Sequence, residues 1–181
     1  MEKNVTLIAL FAALIAALGL IPPISLPIGV PITAQGLGIM LCGTVLGAKR
    51  GALAVLLFLL LVAIGLPLLA GGRGGAAVFV GATGGFLFGF PIAAFVTGLI
   101  VEKWRTGKLA VIASVAAIIG CVLVLYVFGI IGMSIVLGKP IMAMAAVMGV
   151  YVPGDIAKAV IAGLLTSGLY NIRPASVLSR S

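Results

Sequence analysis

Residues 65–85 read G-L-P-L-L-A-G-G-R-G-G-A-A-V-F-V-G-A-T-G-G. This glycine-rich stretch carries a single charged residue, Arg73, and it lies between long apolar sequences of the kind that form helices. Glycine frees the backbone to turn and lets the chain approach another surface closely. The stretch is therefore predicted to be a loop that interrupts a bundle of apolar helices, and its purpose depends on what surrounds it.

The surrounding sequence has too little charge to cover a water-facing surface. Of the 181 residues, 64% are hydrophobic and 8% are charged, whereas a soluble domain has about 25% charged residues. The sequence also lacks the alternation of polar and apolar residues that outer-membrane barrel strands require. These features predict an all-α, polytopic membrane protein that forms a single domain over residues 1–181.

Six apolar runs are predicted to cross the membrane, since roughly 17–25 apolar residues suffice for a spanning helix. The second run is short, and the fifth is long enough to tilt or protrude. Lys49-Arg50-Gly51 predicts a turn between the second and third runs. The broken segment 22–34 and the short apolar segment 141–152 are expected to cap the bundle on its outer side. The six runs cover residues 5–21, 35–48, 52–66, 85–101, 109–137 and 155–171.

The distribution of basic residues predicts the orientation of this six-helix bundle. The net charge is +8, from eleven Lys and Arg against three Asp and Glu. Cytoplasmic loops of membrane proteins are enriched in Lys and Arg, so we expect both termini to be cytoplasmic, and the charge needs no nucleic-acid partner to explain it. The outer side then carries only Arg73 and Lys139, and the inner side carries Lys3, Lys49, Arg50, Lys103, Arg105, Lys108, Arg173 and Arg180.

Two charges near the start of the sixth helix are candidates for a binding site. Asp155 and Lys158 are three residues apart, so they share one helix face. Ionisable residues in a membrane segment are unfavourable unless they are paired or face a cavity, and they often mark functional sites. The pair could bind a ligand, or it could simply neutralise itself while Asp155 caps the helix.

Three further polar residues lie on the same outer side. Arg73 is flanked by glycine pairs whose N–H groups can bind an anion, although a solvated arginine in a flexible loop is an equally simple reading. The segment does not match a nucleotide phosphate loop, which ends in Gly-Lys-Ser/Thr. Thr33 and Gln35 could contact a polar ligand or cap the second helix.

The remaining patterns favour a binder or transporter over an enzyme. Ala9, Ala13 and Ala17 recur every four residues, a spacing that lets another membrane helix approach and so predicts docking to a second subunit. Cys42 and Cys121 lie inside apolar runs without metal or redox spacing, and the sequence contains no histidine. We therefore expect no catalytic residues, no metal and no cofactor.

Five motifs in order along the chain resemble those of one family. They are P-I-T-A-Q-G-L-G-I-M-L-C-G at 31–43, L-G-A-K-R-G at 46–51, G-L-P-L-L-A-G-G-R-G-G at 65–75, G-A-T-G-G-F-L-F-G-F at 81–90 and P-G-D-I-A-K-A at 153–159. The sequence resembles the BioY family, the biotin-binding S components of energy-coupling factor (ECF) vitamin transporters. Ala82 departs from the proline that the family pattern commonly has.

The resemblance implies that biotin binds from the outside beneath the loop between the first two helices and the glycine-rich loop. Asp155 would accept hydrogen bonds from the ureido ring, and either Lys158 or Arg73 would meet the carboxylate. Thr33 and Gln35 would serve the polar ring. The implied apolar walls are Phe79, Phe86 and Tyr151.

The resemblance also implies partners in the cytoplasmic membrane. A transmembrane coupling subunit would meet Ala9, Ala13 and Ala17, and cytoplasmic ATPases would drive biotin uptake. Three alternatives stay open: an S component for another vitamin, a stand-alone secondary transporter in which Asp155 relays protons, and an assembly protein without a ligand.

Overall fold

The computed structural model describes residues 2–24 and 32–180, and over these ranges the chain is helical. Only two isolated β-bridges, Ile24 with Ile32 and Leu69 with Arg73, occur in the described part of the chain. The α-helices are α1 (Glu2–Gly19), α2 (Gln35–Leu46), α3 (Ala48–Ala63), α4 (Ala77–Val80), α5 (Gly84–Lys103), α6 (Leu109–Ile118), α7 (Leu125–Leu137), α8 (Ile141–Met148) and α9 (Val152–Ile172). A π-helical segment, Ile119–Val124, joins α6 to α7, and two 3-10 turns, Pro174–Ser176 and Leu178–Arg180, follow α9.

The principal helices correspond to the six predicted apolar runs. Three are both long and apolar enough to cross a bilayer: α5, the continuous helix from Leu109 to Leu137, and α9. Residues Asn4–Gly19 of α1 and all of α2 form shorter apolar helices. The eight-residue α8 spans only about 12 Å, which is too short for a crossing. The all-helical membrane architecture predicted from composition is confirmed, and α4 and α8 lie in the connections.

The turn between α2 and α3 lies earlier than the sequence suggested. Gly47 has a φ of 85°, a conformation that favours glycine, and Lys49, Arg50 and Gly51 already belong to α3. The predicted turn at these three residues is therefore wrong. The reason is that the single left-handed glycine reverses the chain, after which the basic residues continue as ordinary helix. The Glu102 carboxylate accepts a hydrogen bond from the Ala48 N–H at 2.9 Å and so occupies one of the free N–H groups at the start of α3.

The longest helix changes its winding where it passes α5. A Cβ atom on Gly120 would lie 2.6 Å from the Ala93 carbonyl oxygen and would also strike Thr97, so only glycine permits this close approach. The π-helical segment Ile119–Val124 lies at this contact. Such irregular turns inside α-helices occur frequently at functional sites.

The segment after α9 closes one end of the bundle. Val177 and Ser179 are fully buried, and the Ser179 hydroxyl donates to the Thr44 carbonyl oxygen at 2.5 Å. The Thr166 hydroxyl donates to that of Thr44 at 2.8 Å. Because Thr44 is near the end of α2 and Gln35 is at its beginning, this closure lies at the opposite end of the bundle from the site described next.

Candidate functional site

A cavity lies at the end of the bundle where α2, α5 and α9 begin. The cavity has a volume of about 110 Å³, several times the volume that one water molecule needs. Most of the wall is apolar, and a few polar groups converge on it, as is usual for small-molecule sites. The lining residues are Ile32, Thr33, Gln35, Gly36, Ile39, Met40, Leu69, Arg73, Thr83, Phe86, Leu87, Phe90, Cys121, Leu125, Tyr126, Met148, Tyr151, Asp155 and Lys158.

Three polar side chains form a connected cluster in this cavity. The Tyr126 hydroxyl donates to Asp155 Oδ2 at 2.6 Å, and Lys158 Nζ donates to Asp155 Oδ1 at 2.8 Å. The side chains of Asp155 and Lys158 are each less than one-fifth exposed. Among the described residues, the carboxylate thus receives one side-chain donor on each oxygen, which leaves a lone pair on both for a ligand. We call Tyr126, Asp155 and Lys158 the polar cluster.

The start of α9 explains why two members of the polar cluster lie where they do. Pro153 occupies the first turn, a position that proline tolerates because the N–H it lacks would be unpaired there. Asp155 follows in the same turn, where a negative charge interacts favourably with the helix dipole. Asp155 forms no capping bond at this helix end. It pairs with Lys158, and both residues line the cavity, so ligand binding by this pair stays a prediction.

Gln35 fastens the glycine-rich loop to the bundle. Its side-chain amide donates to the carbonyl oxygens of Leu68 at 2.9 Å and Ile15 at 3.2 Å. Its carbonyl oxygen accepts the Ala70 N–H at 2.9 Å. The residue is buried and lines the cavity, but its amide is already engaged by backbone groups. It does not cap α2 either, since no side-chain capping bond is present there.

The glycine-rich loop folds into the bundle instead of standing free. Leu69 and Ala70 are buried, and the Leu69 N–H donates to the Arg73 carbonyl oxygen at 2.9 Å. Positive φ angles at Gly71 and Gly72, of 79° and 70°, allow this tight turn. The Arg73 side chain is exposed, contributes to the cavity lining and donates from Nε to the Ala70 carbonyl oxygen at 3.3 Å.

The structure brings together most, but not all, of the predicted site residues. Thr33, Phe86 and Tyr151 line the cavity together with the residues above. Phe79 does not, because it is half-buried outside the cavity and its ring centroid lies 5.8 Å from that of Phe88. Its role as a wall residue stays a prediction. Much of the loop predicted to cover the site, residues 25–31, lies outside the described residues.

Sequence reasoning missed Tyr126. It is the one tyrosine in the uncharged run from Leu109 to Leu137, and a buried tyrosine hydroxyl usually has a hydrogen-bond partner. That signal could have directed attention to it. Phe90 and Met148 were also missed, and nothing distinguishes them from the other apolar residues of their helices.

Tyr151 lies at the junction between α8 and α9, beside the polar cluster. Burial and, secondarily, the charge of Asp155 raise the pKa of the Tyr151 phenol above its usual value. The phenol is therefore neutral at physiological pH and adds no second negative charge to the cavity.

The predicted docking stripe lies on the outside of the bundle. Ala9, Ala13 and Ala17 are all exposed, whereas Ala12 on the neighbouring face of α1 is buried. The exposed alanines leave a shallow surface along α1 on which another helix could pack closely.

Comparison with known proteins assigns the chain to a family. The model of the BioY family matches residues 2–175. The chain is 52% identical to "Biotin transporter BioY" of Rhodobacter capsulatus over 99% of this chain and all of that protein. It is 40% identical to "Probable biotin transporter BioY" of Bacillus subtilis over 87% of this chain and 85% of that one.

A solved structure agrees with these sequence matches. It is described as the S-component for biotin from an ECF-type ABC transporter. The two folds superpose with a TM-score of 0.88 at 32% identity, over 94% of this chain and 92% of the other. Together with the family match over nearly the whole chain, this likeness identifies the chain as a member of the BioY family, a family of transporters and not of enzymes.

Proposed function

We propose that this chain is the biotin-binding S component of an ECF transporter and that residues 1–181 act as one transmembrane domain. The observation that carries the proposal is the polar cluster in a mostly apolar cavity. The relatives named as biotin transporters make biotin the ligand to consider first.

The polar cluster is chemically suited to a cyclic urea. A ureido ring offers two N–H donors and one carbonyl acceptor. Within the described part of the chain, Asp155 keeps a free lone pair on each oxygen, and Lys158 keeps two N–H donors beyond the one used for Asp155. Asp155 would accept from the ureido N–H groups, while the apolar wall, including Phe86 and Tyr151, would cover the bicycle.

The ligand carboxylate needs a cation, and Arg73 is the better candidate of the two considered. Lys158 is already paired with Asp155 at 2.8 Å. Among the described residues Arg73 has no carboxylate partner, and it lies at the cavity wall formed by the glycine-rich loop. A charge-assisted contact between Arg73 and the ligand carboxylate would therefore leave the polar cluster intact.

Thr33 and Gln35 have different roles in this proposal. The Thr33 hydroxyl, which has no side-chain partner among the described residues, would contact a polar part of the ligand. Gln35 acts chiefly by holding Leu68 and Ala70, and through them the loop that carries Arg73. The glycine-rich loop would then be an anchored wall of the site whose arginine contacts the ligand.

The proposed setting is the cytoplasmic membrane with both termini inside the cell. The basic residues at the end of the bundle opposite the cavity support this orientation through the positive-inside rule. A transmembrane coupling subunit would pack on Ala9, Ala13 and Ala17, and cytoplasmic ATPases would supply the energy. The exposure of these alanines supports the docking surface.

A ligand panel tests the proposal. Purified protein should bind biotin and should not measurably bind thiamine or riboflavin under the same conditions. Folded protein that binds another vitamin in preference to biotin would make it an S component of different specificity. Vesicles containing this chain alone, with a proton gradient and no ATP, should not accumulate biotin; accumulation would favour the stand-alone transporter.

A further inference from the structure

A second cavity lies at the opposite, basic end of the bundle, between α3 and α5. This cavity has a volume of about 340 Å³. Its wall consists of Ala48, Lys49 and Arg50 from the first turn of α3 and Phe95, Leu99 and Glu102 from α5. It contains no residue of the biotin site, so it is a separate feature of the molecule.

The two cations in this cavity lack protein partners. Among the residues that the structure describes, neither the Lys49 nor the Arg50 side chain has a hydrogen bond or an ion pair. Glu102 also lines the cavity, but its Oε1 accepts the Ala48 N–H instead of pairing with either cation. Two positive charges against one carboxylate leave the cavity with an excess of positive charge.

Exposed apolar side chains continue from the cavity along both helices. On α3, Leu53, Leu56 and Leu60 follow Lys49 on one face and are 50–60% exposed. On α5, Phe95 and Ile92 continue the face of Glu102 and are 37% and 41% exposed. From Lys49 to Leu60 the helix rises about 16 Å, roughly half the ~30 Å hydrocarbon thickness of a bilayer.

We propose that the cavity lined by Lys49 and Arg50 binds the headgroup of an anionic phospholipid, whose acyl chains lie along the exposed apolar faces of α3 and α5. A phosphate group would meet both cations, and the chains would cover one leaflet's depth of apolar surface. Basic pockets between membrane helices are known to accept acidic lipid headgroups. The match of charge and depth favours a lipid over a protein partner.

Lipid retention by purified protein in neutral detergent tests the proposal. Native mass spectrometry would count bound phosphatidylglycerol and, separately, phosphatidylcholine with the same chains. Wild-type protein should retain phosphatidylglycerol in preference to phosphatidylcholine. In the double variant Lys49→Gln/Arg50→Gln its affinity should fall about 30-fold, because each cation near an anionic lipid surface contributes roughly a fivefold gain.

The matched control is Lys103→Gln/Lys108→Gln. It removes the same charge from the same end of the bundle, at exposed residues outside the cavity, and it should retain the lipid as wild-type does. Each double variant is first compared with wild-type for its unfolding temperature. If the cavity variant does not fold, the single variants Lys49→Gln and Arg50→Gln replace it, each with an expected loss of about fivefold.

Several results would overturn the proposal. Equal losses in the two double variants would mean a general charge effect, and equal retention of both lipids would mean no headgroup selection. Displacement of the lipid by inorganic phosphate at equal concentration would make the cavity a simple anion site. A protein dimer that disappears in the cavity variant would assign the surface to a second copy of the chain.

Discussion

Asp155 receives one hydrogen bond on each carboxylate oxygen, from two different helices. Lys158 lies one turn away on α9, whereas Tyr126 reaches across from α7. A carboxylate held from both sides has a fixed orientation in the cavity. Removing either partner therefore alters the site itself and does more than remove a surface charge.

The variant Tyr126→Phe isolates the bond from α7. We expect biotin affinity to fall about tenfold or more, because a hydrogen bond to a charged group contributes roughly 1.5–3 kcal/mol and 1.4 kcal/mol corresponds to tenfold. Isothermal titration in detergent measures the change. Tyr170→Phe, which removes an exposed hydroxyl from α9, should bind biotin normally, and equal affinities for the two variants would contradict a role for Tyr126.

The variant Gln35→Ala tests the anchor of the glycine-rich loop. It leaves the buried Ala70 N–H without its acceptor and the Leu68 carbonyl without its donor, and each unsatisfied buried group costs about 1–3 kcal/mol. We expect a lower unfolding temperature and faster proteolysis within residues 65–75. Asn171→Ala removes an exposed amide and should change neither; unchanged proteolysis in Gln35→Ala would show that the loop is held by other contacts.

At this scale the sequence predicted chemistry better than geometry. The spacing of Asp155 and Lys158 is a local property, since residues three apart on a helix must share a face. The partners of Gln35 are 20, 33 and 35 residues away along the chain, so no local pattern could reveal that its amide is engaged by backbone. Tyr126 was hidden for the same reason, since its partner is 29 residues away.

The helices that form the cavity pack closely because small residues meet at their crossings. A Cβ atom on Gly132 of α7 would lie 2.6 Å from the Cα of Gly85 at the start of α5. A Cβ on Gly85 would lie 2.4 Å from the Phe128 carbonyl oxygen and 2.9 Å from the Cα of Gly132, so neither helix can shift toward the other. This contact holds the beginning of α5, and with it Phe86, against the helix that carries Tyr126.

The variant Gly132→Ala tests this contact. The added methyl group must push α5 and α7 apart, and overpacking of this kind costs about 1–3 kcal/mol. A lower unfolding temperature and weaker biotin binding are expected. Gly168→Ala on α9 is the control, because a Cβ there meets nothing within 4 Å and alanine favours helix by up to about 1 kcal/mol. Equal stability of the two variants would rule out a tight contact at Gly132.

The composition predicted that the chain forms helices, but it did not predict the positions of two element boundaries. The basic residues Lys49 and Arg50 suggested a turn, whereas the left-handed Gly47 makes it. The π-helical segment Ile119–Val124 left no trace in an uninterrupted apolar run. Its position depends on how closely Gly120 approaches Thr97 and Ala93, which only the packed bundle determines.

The whole molecule has two chemically different ends. The cavity, the glycine-rich loop and Lys139 lie at one end, and the opposite end carries Lys49, Arg50 and the buried segment Val177–Ser179. Composition and charge alone predicted this division. The closure of the basic end by residues after α9 could not be predicted, because it rests on contacts of Ser179 with Thr44, 135 residues away.

Cysteine labelling tests the proposed orientation of these two ends. In intact cells, a membrane-impermeant maleimide should label Lys139→Cys and should label Lys108→Cys only after the cells are opened. Both positions are exposed in the structure, and the native Cys42 and Cys121 are buried, so they give little background. The reverse labelling pattern would place the biotin site on the cytoplasmic side.

The central claim is that the cavity beneath the glycine-rich loop binds biotin through Asp155. Asp155→Asn keeps the size of the side chain but removes its charge, and with the charge the ion pair to Lys158. It also replaces one of the two carboxylate oxygens that accept from Tyr126 and Lys158 with an NH₂ group, which cannot accept a hydrogen bond. Calorimetric titration of the purified wild-type and variant proteins with biotin measures the effect directly. We predict binding by wild-type and a loss of about 30-fold or more in the variant, since hydrogen bonds to a charged group contribute roughly 1.5–3 kcal/mol each. Equal affinity in a variant that unfolds at the wild-type temperature would contradict the claim.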